Sequence, residues 1–174
     1  MATFQRRSNG PFRGRKASVS SVPTQRYRCV MIPELDEHSN LPPGIHHATW
    51  NEIVTRYATS VRRRELLDGL LDALRSLKGA GCATAYLDGS LVTSKNPGDF
   101  DACWESDGVI LSRLDPEFLD FSHDRAAQKA RYGGELFPSD WPADGDGTTY
   151  LDFFQRERLK QQKGIIALDL AGLP

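Results

Sequence analysis

The chain has 174 residues, 39% hydrophobic and 26% charged, with 22 Lys and Arg against 23 Asp and Glu. That balance suits one soluble globular domain with a single core, and no run approaches the roughly 20 apolar residues that cross a bilayer, which excludes a helical membrane protein. Three cysteines, Cys29, Cys82 and Cys103, stand too far apart for a zinc pattern and are odd in number, so neither a structural zinc site nor a disulfide framework is expected, and a reducing cytoplasm is.

Residues 1–30 hold Arg6, Arg7, Arg13, Arg15, Lys16, Arg26 and Arg28 and no acid. Rich in Ser and Gly and without apolar periodicity, they are expected to be a disordered basic tail. The plainer expectation is an inert leader ahead of a chain starting at Met31; a basic arm on nucleic-acid phosphates and a targeting leader are the functional alternatives. Residues 31–174 are read as the folded domain. From Met31 to His47, Pro33, Pro42, Pro43 and Gly44 enforce an extended or turned lead-in, with His46 and His47 as packing or surface residues.

Thr49-x-x-Glu52 is a capping box opening a short helix to about Ala58, and Ser60 can cap the next. Leu66, Leu67, Leu70, Leu71, Leu74 and Leu77 draw one apolar stripe between Val61 and Lys78, and Gly79 and Gly81 end that helix. Arg62, Arg63 and Arg64 at its start read as a solvated face, with nucleic-acid contact the alternative.

A strand from Ala83 to Asp88, the tight turn Gly89-Ser90, a loop and a strand from Phe100 to Trp104 follow. Side chains alternate along a strand, so Asp99 and Asp101 point the same way. Two carboxylates on one face resist joint ionisation unless a cation joins them, and Mg2+ takes one or two carboxylates plus phosphate oxygens. Gly89 lets backbone N–H groups approach an anion and Ser90 adds a hydroxyl, so metal and phosphate would meet in one place.

Two short helices are expected between Asp107 and Phe121, the second capped by Asp115 before Pro116. Ser122 is read as the cap of a helix from His123 to Tyr132, which Gly133-Gly134 ends, and Gly133 to Pro138 as a turn and short edge strand. Arg125, Lys129 and, less directly, Arg131 give that helix a positive face. Asp144-Gly145-Asp146-Gly147 begins like a calcium loop but lacks the closing Glu, and is read as a turn. A helix from about Thr149 to Gln162 and a strand from Ile165 to Leu170 complete the chain.

The order apolar strand, Gly89-Ser90, then Asp99-Phe100-Asp101 resembles the signature of the DNA polymerase β-like nucleotidyltransferase superfamily. From Met31 onward the chain is also similar to small bacterial nucleotidyltransferase-like proteins of unknown function. The matching stretches are Met31 to His38, Leu41 to His46, Tyr86 to Ser90, Gly98 to Asp101 and Ala127 to Pro138. The resemblance implies an α/β (α+β) fold, a minimal single domain with a mixed sheet packed against helices. It implies an NTP substrate, Mg2+ (or Mn2+) as cofactor, and transfer of a nucleotidyl group to a hydroxyl on RNA or protein, in some relatives as a toxin or defence module. It also asks for a third acidic residue on a later strand, and Asp169, alone in the apolar run 164–170, is the expected one, as metal ligand or general base. Gly89 and Ser90 would hold the phosphates, and Arg125 and Lys129 would add positive charge there, unless they are ordinary surface charges. The alternative is the same fold without turnover, binding a nucleotide or a partner protein.

Overall fold

The computed structural model describes residues 32–157 and 161–174. Its sheet has five strands: β1 (Gly44–Ala48), β2 (Thr84–Asp88), β3 (Phe100–Trp104), β4 (Gly134–Pro138) and β5 (Gly164–Asp169), in the order β1-β5-β2-β3-β4. β2 runs antiparallel to both β3 and β5, whereas β1 with β5 and β3 with β4 are parallel. The end of β2 therefore lies beside the starts of β3 and β5, and the start of β4 lies beside that of β3. Among the described residues four helices accompany the sheet: α1 (Trp50–Tyr57), α2 (Val61–Ala80), α3 (Ala126–Tyr132) and α4 (Tyr150–Phe154). The protein is an α/β fold with a mixed sheet in one small domain.

Alternation along the strands divides the core in two. Ala85, Leu87, Phe100, Ala102, Leu136, Ile166 and Leu168 face the larger cluster, where the leucines of α2 supply Leu66, Leu67, Leu70, Leu74 and Leu77, all at most 2% exposed. Tyr86, Cys103, Phe137, Ile165 and Ala167 face the other side, where Phe154 of α4 covers them. Both helix starts follow the sequence: Thr49 and Glu52 form the reciprocal box, and the Ser60 hydroxyl accepts from Arg63 N. Gly69 lets α2 meet α3, since a Cβ there would run into the Tyr132 carbonyl.

Several expectations need correction. The lead-in contains β1, which has little apolar alternation because it is a half-exposed edge strand. His46 is a packing residue, its Nε2 2.7 Å from the Pro42 carbonyl oxygen. The two short helices after Asp107 are 3-10 turns, Leu111–Arg113 and Pro116–Leu119, and Asp115 makes no side-chain cap; its carboxylate accepts from the Tyr132 hydroxyl at 2.5 Å instead. The helix expected from His123 begins at Ala126. Ser122 does not cap it, and His123, Asp124 and Arg125 all lie in the left-handed region, at φ 49°, 52° and 54°. The last helix stops at Phe154 because Lys163 N bonds the Gln155 carbonyl and Arg156 bridges to Gln162, turning the chain back toward β5. The basic tail lies outside the described residues. No helix among the described residues is long and apolar enough to cross a membrane.

Candidate active site

Three strands contribute a carboxylate at one register position. Asp88 at the end of β2 pairs with Asp101 on β3, and Asp101 with Glu135 on β4. Registered neighbours share a face, so the three form a row across the sheet on the side of the smaller core. Asp99, two residues before Asp101, adds a fourth negative charge. The next row inward is Tyr86, Cys103 and Phe137, so an acidic rim sits directly on apolar floor.

The rim carries more negative charge than its surroundings neutralise. Burial, then Asp99, Asp88 and Glu135, push the Asp101 carboxyl up to about 6, and Lys163 offsets only part of this. Asp88 is only 7% exposed; burial raises its pKa too, against Lys163, whose Nζ lies 2.7 and 2.8 Å from the two carboxylate oxygens. Glu135 accepts a 3.0 Å contact from Lys129, on α3. Lys129 is drawn further toward its charged form by the nearby Asp99. Among the described residues no three His, Cys, Asp or Glu side chains stand together as a group that could hold a metal ion. The pair Asp99 and Asp101 nevertheless suits a hard cation: both offer oxygen only, and a cation would relieve the repulsion felt by Asp101.

Gly89 adopts φ 75° and ψ −164°, a conformation essentially restricted to glycine, and a Cβ at that position would collide with the Asp101 carboxylate. The turn is thus laid against the acidic row. After it comes a single 3-10 turn, Ser90–Val92. What fixes this segment is Arg63, which is 6% exposed rather than solvated. Its guanidinium donates to the carbonyls of Leu91 at 2.6 Å, Thr93 at 2.7 Å, Lys95 at 2.6 Å and, more weakly, Ser90 at 3.4 Å. Arg62 donates to the Gly98 carbonyl, just before Asp99. The first turn of α2 therefore grips the loop between turn and acidic strand at both ends.

Asp169 does not belong to this constellation. It pairs with Thr84, at the opposite end of β2 from Asp88. Four residues along a strand and two strands across place it roughly 13 Å and roughly 10 Å away from Asp101 in the two directions. It is exposed, and its carboxylate caps the final 3-10 turn by accepting from Ala171 N at 2.9 Å. Arg131 is likewise turned away, paired with Asp115 and Glu117. Of the expected cations, Lys129 is at the row, and Arg125 lies beside it, its guanidinium 3.8 Å over the Phe137 ring.

Asp88, Glu135 and Lys163 were not singled out from sequence. Glu135 was accessible: it is the one acid in Gly-Glu-Leu-Phe-Pro, directly after a helix that follows β3. A strand–helix–strand crossover favours parallel neighbours, which would put the first residues of that strand beside Asp101. Lys163 has no such signal, because its role depends on how β5 is registered against β2.

The fold and the site together describe an α/β domain with a carboxylate row beside a glycine-serine turn. Residues 33–169 match the Family of unknown function (DUF6932), and the chain belongs to that family. The match includes the turn, the acidic row and both lysines. No curated protein and no solved structure matches the chain.

Proposed function

We propose that this protein is a metal-dependent nucleotidyltransferase that moves a nucleotidyl group from an NTP to a hydroxyl acceptor on RNA or protein in a reducing cytoplasm. The observation that carries this reading is the row Asp101–Glu135, with Asp99, laid against a Gly89-Ser90 turn that Arg63 holds in place. The buried free thiols of Cys82 and Cys103 are compatible with the reducing compartment.

In this scheme the Gly89-Ser90 backbone and the Ser90 hydroxyl hold the departing phosphates. Lys163 lies on the same side and supplies positive charge where pyrophosphate forms. Asp99 and Asp101 would hold Mg2+ or Mn2+, which would neutralise the triphosphate and acidify the acceptor hydroxyl. The acceptor oxygen attacks the α-phosphorus, the bond from that phosphorus to the bridging oxygen of the β-phosphate breaks, and pyrophosphate leaves. Glu135 accepts the hydroxyl proton, the role that sequence alone had suggested for Asp169. Attack and departure are in line, so with the phosphate turn on the β2 side of Asp101, the acceptor enters from the β4 side.

A second reading is a nucleotide- or partner-binding module without turnover. It is favoured by one feature: Lys163 and Lys129 already neutralise Asp88 and Glu135. Incubation with each radiolabelled NTP, Mg2+, and cellular RNA or protein separates the two. Label transfer that disappears in Asp99→Ala/Asp101→Ala supports the enzyme. Metal-dependent nucleotide affinity with no transfer supports the second reading, and no nucleotide affinity at all rejects both nucleotide readings.

A further inference from the structure

Three arginines from separate elements line one open cavity of about 700 Å³: Arg75 on α2, Arg113 on the 3-10 turn Leu111–Arg113, and Arg131 on α3. That volume falls within the roughly 300–1,000 Å³ usual for small-molecule sites. Tyr132, part of the cavity wall, belongs to the larger core, whereas the acidic row lies on the side of the smaller one. The cavity is thus a place of its own.

Asp72 and Asp115 also line it, and the arginines differ in how far acids occupy them. Arg131 is fully engaged, 3.0 Å from both Asp115 and Glu117, and Asp115 accepts the Tyr132 hydroxyl as well. Arg75 is held loosely, 3.7 Å from Asp72 with both side chains at least half exposed, and 3.4 Å from the Pro174 carbonyl oxygen. So exposed a pair contributes little and yields to a stronger acceptor. Arg113 bonds only through its backbone N–H, to the Ile110 carbonyl oxygen at 2.9 Å, and its guanidinium has no partner among the described residues. The Ser76 hydroxyl accepts from Asp115 N at 3.3 Å, and its own proton finds no acceptor among the described residues.

The wall also leaves room. Gly79 lies inside α2, where glycine is a poor helix former, while Gly81 makes the left-handed cap. Gly69 is explained by the approach of Tyr132, but a Cβ at Gly79 would meet nothing within 4 Å. The space it leaves serves no contact within the protein and widens the cavity instead.

We propose that this cavity binds a small phosphate-bearing molecule. Its phosphate oxygens accept from the guanidiniums of Arg113 and Arg75 and from the Ser76 hydroxyl, and its body lies along Gly79. Two planar donor forks and a hydroxyl ask for more acceptor oxygens than the two of a carboxylate, and a phosphate group supplies them. Such binding needs no metal and is independent of the nucleotidyltransferase reading, whose carboxylate row repels phosphate unless a cation stands between them.

The test is calorimetric titration of the full chain with inorganic phosphate and with pyrophosphate, in EDTA so that no cation bridges the acidic row, and with citrate as a tricarboxylate comparison. Arg113→Ala removes an exposed, unpartnered side chain, and Gly79→Leu fills the open wall with a better helix former; thermal unfolding checks that both fold. The expected result is metal-independent pyrophosphate binding that weakens about tenfold in each of these variants and is unaltered in Asp99→Ala/Asp101→Ala. The proposal is overturned if neither phosphate probe binds, if either cavity variant binds as the wild type does, or if citrate binds as tightly as pyrophosphate. Loss of binding in Asp99→Ala/Asp101→Ala also overturns it, by placing the phosphate at the acidic row.

Discussion

Lys163 closes on Asp88 with its ammonium 2.7 and 2.8 Å from the two carboxylate oxygens, at the point where β2 gives way to the Gly89-Ser90 turn. Both side chains are largely shielded from water, at 17% and 10% exposure. A pair so placed is costly to break from one side only, because the remaining charge stays buried without its counter-ion.

Lys163→Met is therefore expected to destabilise the fold by about 3 kcal/mol. Adding Asp88→Asn should recover a large part of that loss. Urea unfolding of the two single variants and the double variant gives the coupling, and additive effects would mean that the pair is not the source.

Asp101 sets a pH dependence with a definite sign. Its folded pKa of about 6 lies above the carboxylate's ordinary value of 3.8, so the native state binds the proton more tightly than the unfolded chain. The contribution is fully present below about pH 4 and is lost as pH rises through about 6, an effect on the order of 3 kcal/mol. Asp101→Asn should accordingly raise stability at pH 7 and flatten the stability profile between pH 4 and 6. An unchanged profile would show that the four-carboxylate crowding is not felt.

Mg2+ should raise the midpoint of thermal unfolding at pH 7, with a shift that shrinks as pH falls below about 6, where Asp101 takes up a proton. Asp99→Ala/Asp101→Ala should remove the shift. A magnesium response of the same size in that variant would place the ion elsewhere.

Glu135→Gln should lower label transfer by about a hundredfold or more, the usual effect of losing a general base, whereas Asp169→Asn should leave it unaltered. The opposite pattern would restore the assignment that sequence alone suggested.

Arg63→Lys should cost about 2 kcal/mol and weaken NTP binding, because an ammonium cannot reach all four carbonyls that the guanidinium gathers. Faster amide exchange confined to the 89–98 loop would identify the cause as loosening of the turn. Uniformly faster exchange would instead indicate a general loss of core stability.

What could be read ahead of the structure were the features that local chemistry decides. The leucine stripe and Gly81 located α2, the Thr49–Glu52 box located α1, and the apolar runs on either side of Gly89-Ser90 located β2 and β3, although Asp99 lies in the bend before β3, where strand alternation does not govern it. What escaped depends on register and on partners distant in sequence. Asp169 and Glu135 are both solitary acids in apolar runs, and composition does not distinguish them. Strand direction does: β5 lies antiparallel to β2, so its beginning, near Lys163, reaches the acidic end, and its last residue is carried to the far side. Arg63 looked like one of three solvated charges because the carbonyls that need it belong to residues about 30 positions further along the chain.

The left-handed turn at His123–Arg125 behaves as a loaded spring. Asp124→Gly would let the backbone adopt that bend at lower cost, and it would also free the guanidinium to swing off its ring. A tougher molecule with a less firmly seated guanidinium is the trade that this bend implies, and selection for thermal tolerance alone would be expected to erase it.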